Sequence, residues 1–184
     1  FMLDGQTIVL EDYLEIRPKN RERLMDAVKK GRIVCGPWYV LPDELLVSGE
    51  AHIRNALTGA NVLEGWGKKM KIAYLPDSFG HPAQMPQIVK GLGMEAMFFW
   101  RGAPGKLKST EFYWESPCGG EGILCVHMPN GYGNCGNLSS DMEITKGRVE
   151  NLLRCLGEGS TVSTVLLMNG SDHITAQENI VPIV

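Results

Sequence analysis

The 184-residue sequence is short of several things, and each shortage closes off a class of protein. Its five cysteines, Cys35, Cys118, Cys125, Cys135 and Cys155, are odd in number and include no C-x-x-C pair. That argues against a structural zinc site or a disulfide framework and for free thiols in a reducing cytoplasm. The four histidines are scattered, with no H-x-x-x-H among them. Lysine and arginine total 18 against 21 acidic residues, a net charge of -3, and no basic stripe marks a nucleic-acid partner. No apolar run approaches the ~20 residues of a membrane helix, and no signal peptide is visible. No glycine-rich loop ends in Lys-Ser or Lys-Thr, which excludes the common phosphate loop. Ser171, Asp172 and His173 are consecutive, so their side chains diverge and cannot form a nucleophilic triad. Repeats, low-complexity tracts and linkers are also missing. A cytoplasmic protein with neither nucleic-acid nor membrane partners is expected.

What is present is a 43% hydrophobic share, enough for a real core in one domain or a piece of a larger one. Thr7 to Leu10 reads as a short strand. Arg21 to Lys30 reads as a surface helix with Leu24 and Val28 inward and Gly31 as its stop. Arg32 to Cys35 is a second strand candidate, followed by a turn-rich loop holding Trp38, Tyr39, Pro42, Asp43 and Glu44. Gly49 to Trp66 is helical, with Ile53, Leu57 and Ala60 on one face. Met70 to Leu75 is a buried strand, Gln84 to Gly93 a helix, and Met94 to Trp100 a further strand. Glu111 to Ser116 and Ile123 to Met128 read as a hairpin inserted between barrel-like units. Glu143 to Leu156 is a helix with Leu152, Leu153 and Leu156 as core contacts. Val162 to Met168 is a last strand. Repeated strand, loop and helix predict a parallel α/β sheet, open or closed into a barrel.

The distinctive polar and aromatic residues fall after the strands: Trp38, Asp43, Asp77, His81, Arg101, Tyr132, Asp172 and His173. Strand ends are where such folds gather ligands and catalytic groups. Asp77 is a natural turn or helix cap, but Arg101 at the tip of the next strand gives it another reading. Ends of adjacent parallel strands lie about 5 Å apart, within reach of a guanidinium. A nearby Arg favours the ionised carboxylate that a nucleophile needs. With Asp172 as its partner, Asp77 supplies the two carboxyl groups of a glycosidase. His52 and His127 fall within elements and read as structural. His81 ties down its own loop or binds a metal.

Several stretches resemble glycoside hydrolase family 38, the α-mannosidases, and in particular their bacterial branch. They are Gly31-Arg-Ile-Val-Cys-Gly-Pro-Trp-Tyr39, Pro42-Asp-Glu44, Gly49-Glu50, Arg54-Asn55, Tyr74-Leu-Pro-Asp-Ser-Phe-Gly-His81, Gln84-Met-Pro-Gln-Ile88, Phe99-Trp-Arg-Gly102 and Met168-Asn-Gly-Ser-Asp-His173. The resemblance runs over nearly the whole chain. It implies a seven-stranded parallel β/α barrel-like catalytic domain, incomplete over residues 1–184, with its first strand and the downstream helical and β domains absent. By position it makes Asp77 the nucleophile and a zinc ligand, Arg101 the nucleophile's contact and Asp172 the general acid/base. It matches Tyr132 to the tyrosine at the sugar; Trp38 and His173, from their places after strands, are expected beside it in the substrate-binding set.

The implied reaction is retaining hydrolysis of an α-mannoside through a covalent mannosyl-enzyme, with carboxyl groups about 5–5.5 Å apart. The family's zinc also needs a His-x-Asp pair and a further histidine, neither of which matches residues 1–184. One carboxylate cannot satisfy an ion that takes about four ligands. The fragment is therefore expected to bind zinc poorly and to be inactive alone. The exposed sheet edge left by the missing strand is an expected site of self-association. The other readings are a metal-dependent carbohydrate deacetylase, which the absent H-x-x-x-H disfavours, and a non-catalytic sugar-binding protein using Trp38 and Tyr132.

Overall fold

The computed structural model describes residues 1–105 and 107–183. The elements run α1 (Ile8–Ile16), a single 3-10 turn (Pro18–Asn20), α2 (Arg21–Lys29), α3 (Gly49–Val62) and β1 (Ile72–Leu75). They continue with α4 (Met85–Gly91), β2 (Ala96–Phe99), β3 (Glu111–Trp114), β4 (Ile123–His127) and α5 (Met142–Gly157). The strands form one mixed sheet in the order β1-β2-β4-β3. β1, β2 and β4 are parallel, with Tyr74 opposite Phe98 and Phe98 opposite Val126. β3 is antiparallel to β4, with Phe112 opposite Cys125.

Two apolar clusters hold the elements together. Ala73, Leu75, Met97, Phe99, Ile123 and Cys125 from the sheet pack with Met85 and Val89 of α4, and with Ala56 and Trp38. Leu10, Val28, Cys35, Leu63 and Trp66 form a second cluster. Side-chain caps start the two long helices. Ser48 Oγ accepts from the Ala51 amide at 3.2 Å, and Asp141 Oδ1 accepts from the Glu143 amide at 3.0 Å and the Ile144 amide at 3.4 Å.

The described residues therefore show a four-stranded mixed sheet, where an incomplete part of a seven-stranded parallel barrel was expected. The two segments expected as a hairpin do pair antiparallel, and β4 in addition pairs in parallel with β2, which makes it a strand of the main sheet. Thr7 to Leu10 is not a strand: its β-branched run opens α1, where Leu10 and Leu14 share the face turned to the second cluster. Arg32 to Cys35 makes only an isolated parallel bridge, Val34 to Met2.

Val162 to Met168 forms no ladder, because its backbone is satisfied by a loop. Asn134 Oδ1 accepts from the Met168 amide at 2.8 Å, Asn134 Nδ2 donates to the Leu166 carbonyl, and the Cys135 amide donates to the Met168 carbonyl. In α3 the inward face is His52, Ala56 and Gly59, while Ile53 and Leu57 are exposed. Gly59 sets that rotation. A Cβ there would lie 2.6 Å from the Pro37 carbonyl oxygen, so only glycine lets the helix rest on the 37–39 backbone. Leu153 is likewise exposed, whereas Leu156 of α5 is buried.

Candidate active site

The three parallel strands deliver their following loops to one end of the sheet. Asp77 follows β1, Arg101 follows β2, and Tyr132 follows β4. Arg101 Nε donates to Asp77 Oδ1. The same guanidinium lies 4.0 Å from the Trp100 ring centroid and 5.1 Å from that of Phe79. Trp100 stands edge-on to Tyr132, ring centroids 5.4 Å apart. Tyr132 Oη donates to Asp172 Oδ2 at 2.8 Å. A continuous path of contacts thus links Asp77, Arg101, Trp100, Tyr132 and Asp172. Asp77 and Arg101 keep 41% and 39% of their side chains exposed, so the pair faces open space that a substrate can enter.

The electrostatics report the same convergence. The Tyr132 hydroxyl is pushed up to about 12, first by loss of water, then by its bond to Asp172 and by the charges of Asp77 and Asp172, against a small opposing effect of Arg101. Asp4, which sequence reasoning passed over, belongs to the group. Its carboxyl is raised to about 6 by partial loss of water and by Asp172 and Asp77, while the Gln6 hydrogen bond acts the other way. Although exposed, it lies near enough to both aspartates to feel their charge, and it sits in left-handed backbone with Gly5, φ 44° and 69°. Its Asp-Gly pair is a turn signal, but the sequence does not say where that turn points.

Lower layers hold these loops in place. Ser78 Oγ donates to the Pro42 carbonyl at 3.0 Å. Asp43 lines one cleft with Asp77, Ser78 and Phe79. His81 does tie down its loop, lying between Glu44 and Arg101. Trp38, expected at the sugar, is instead fully buried with its indole N–H on the Tyr74 carbonyl at 3.1 Å, so no ring face is free for stacking. His173 is exposed beside Asp172, in left-handed backbone with φ 58°. His127 donates from Nε2 to the Trp100 carbonyl at 2.9 Å, and His52 is buried, as their structural reading required.

A zinc site does not follow from the chain's own donors. Among the described residues no three His, Cys, Asp or Glu side chains are grouped so as to hold a metal. Asp77 stands alone as an expected ligand, with one oxygen already taken by Arg101.

Residues 1–182 match the model of the glycosyl hydrolases family 38 N-terminal domain. The chain belongs to glycosyl hydrolase family 38. This family 38 chain is 35% identical over 193 residues to a Halalkalibacterium halodurans protein whose provisional name is mannosylglycerate hydrolase, covering 98% of the chain and 21% of the relative. It is 33% identical over 139 residues to mouse alpha-mannosidase 2C1, covering 71% of the chain and 13% of that protein. Its structure is similar to the crystal structure of an alpha-mannosidase from Enterococcus faecalis V583, with TM-score 0.93 and 34% identity over 100% of the chain and 21% of that chain. A 4-alpha-glucanotransferase from Thermococcus litoralis, at TM-score 0.56 and 14% identity, shares the fold alone. The family 38 chain spans about a fifth or less of the length of these curated relatives. No helix among the described residues is long and apolar enough to cross a membrane.

Proposed function

We propose that the chain is part of the catalytic domain of a retaining α-mannosidase acting on oligosaccharides or small mannosides. The observation that carries this reading is the contact path from Asp77 through Arg101, Trp100 and Tyr132 to Asp172, which brings two carboxyl groups 95 positions apart to one end of the sheet. Two carboxyl groups converging on one open space are what glycoside hydrolysis needs. Asp77 attacks the anomeric carbon, and Arg101, donating to Oδ1, aims its carboxylate. Asp172 protonates the leaving oxygen, then takes a proton from water in the second step. Tyr132 orients Asp172, and His173 lies beside it to contact substrate.

The family resemblance implies a zinc ion that grips sugar hydroxyls. This chain offers it Asp77 only, so every step above runs through protein groups. The complete domain is expected to close into a seven-stranded barrel. Five unpaired cysteines accord with a cytoplasmic setting.

The test is hydrolysis of an aryl α-mannoside by the enzyme that contains this chain, with and without Asp77→Asn. Loss of turnover on substitution is expected. Hydrolysis that survives it removes Asp77 from the nucleophile's role. Release of acetate instead of mannose points to a deacetylase. The name of the Halalkalibacterium halodurans relative makes mannosylglycerate the second substrate to assay.

A further inference from the structure

Beneath the aspartates lies a buried pair that the proposed chemistry does not use. The His81 side chain is 5% exposed and that of Glu44 is 0% exposed. His81 Nδ1 meets Glu44 Oε1 at 2.7 Å, and His81 Nε2 meets the Arg101 carbonyl at 2.9 Å. A carbonyl oxygen only accepts, so Nε2 must carry a proton. When Glu44 is a carboxylate it also only accepts, and Nδ1 then carries a proton too. With donors on both nitrogens, the ring is an imidazolium. Charge-assisted bonds at both ends are the stronger kind.

The rest of the pocket is shaped to this ring. Phe99 stands edge-on to it at 4.6 Å and Trp114 at 6.2 Å. Gly102, with φ 74°, lets the Arg101 turn close over it, since a Cβ there would meet His81 Cδ2 and the Gly80 Cα at 2.9 Å. The three segments joined are the 42–48 loop, the 77–81 loop and the turn after β2. The last two carry Asp77 and Arg101.

We propose that His81, held as an imidazolium by Glu44, is a positioning residue that fixes the Arg101 backbone and so aims the guanidinium at Asp77. The inference rests on the α-mannosidase reading only for its kinetic arm. Burial alone pulls the His81 pKa down, but the Glu44 hydrogen bond and charge, with the Arg101 carbonyl, outweigh it, and the pKa is raised. Glu44 is the charged side chain in contact with the ring. Arg101 presents its carbonyl there and spends its guanidinium on Asp77. As pH climbs through the raised value, one nitrogen loses its proton and one of the two bonds loses its donor.

Two measurements test this. The first is nitrogen NMR of the His81 ring in the unmodified chain between pH 5 and 9. Titration of the ring above the ordinary ~6.5 is expected. Titration at or below that value overturns the proposal whatever the enzyme hydrolyses. The second uses Glu44→Gln in the enzyme that contains this chain. Its kcat/KM on an aryl α-mannoside should fall by roughly 10- to 100-fold, a size typical of lost outer-layer orienting partners. The basic limb of its pH profile should move to lower pH. A variant that is merely less stable, with the basic limb unmoved, refutes the positioning role. If Glu44→Gln does not fold, the NMR titration still decides whether the ring is charged. The wild-type enzyme's basic limb, compared with the ring's own titration, then decides the coupling: coincidence supports it and separation refutes it.

Discussion

Tyr132 bridges the two aspartate loops, its hydroxyl on Asp172 at 2.8 Å and its ring edge-on to the same Trp100 that carries the Arg101 guanidinium. Tyr132→Phe keeps the ring contact and deletes the hydrogen bond. A bond to a charged group is worth about 1.5–3 kcal/mol, so kcat/KM for an aryl α-mannoside should fall by roughly 10- to 100-fold. Wild-type kinetics in the variant would leave Asp172 without need of this partner.

Gly59→Ala reverses the usual sign of a helix substitution. In an open helix the change stabilises by up to ~1 kcal/mol. Here the new methyl would sit 2.6–2.8 Å from the backbone of Pro37, Trp38 and Tyr39. Overpacking of this kind costs about 1–3 kcal/mol, so the denaturation midpoint should drop. A midpoint at or above wild type would mean that α3 does not rest on that loop.

How far these features could be read beforehand varies with their physics. Asp77 and Arg101 were legible because an apolar run followed by a polar group is a local pattern, and parallel neighbours bring such ends together. Ile53 and Leu57 were placed inward by periodicity, yet a close backbone contact at Gly59 turned the helix by one position. Apolar pattern does not register a contact made by the absence of a side chain. Trp38, an aromatic in a turn-rich loop after a strand candidate, reads as a sugar contact, but its ring lies in the core. Buried Glu44 and the placement of Asp4 near the aspartates depend on long-range packing, which leaves no mark on their neighbours.

Glu111 makes stability depend on acid. Its carboxylate accepts from the Thr161 amide at 2.7 Å and hydroxyl at 2.9 Å, from Thr110 Oγ1 at 2.8 Å and from Ser160 Oγ. Partial burial raises its pKa, but these bonds outweigh it and the pKa falls below the ordinary 4.5. The gain is therefore complete above about 4.5 and is lost as pH drops through the lowered folded value. Glu111→Gln should melt below wild type at neutral pH, and the gap should narrow on acidification. A gap that stays constant down to pH 3 would contradict this.

The five thiols should divide by burial. Cys118 and Cys155 are exposed, whereas Cys35, Cys125 and Cys135 are buried. Burial also pushes Cys35 up to about 11 and Cys125 to about 12, leaving little thiolate at neutral pH. A colorimetric thiol reagent should modify two residues quickly and three only after denaturant. Rapid reaction of Cys125 would contradict the sheet core.

The chain by itself should not retain zinc. Without three clustered donors among the described residues, dialysis should leave far less than one metal per chain by elemental analysis. Stoichiometric zinc would demand a ligand set that the fold does not display.

The reversed direction of β3 constrains how this molecule can become a ring. β3 occupies the far side of β4 from Ile123 to Val126, and the His127 amide is spent on the Thr110 carbonyl. A like-directed neighbour therefore has room to join β4 only from Met128 onward. Such a neighbour would meet β4 at its C-terminal tip, the end of the sheet where the loops of Asp77, Arg101 and Tyr132 begin.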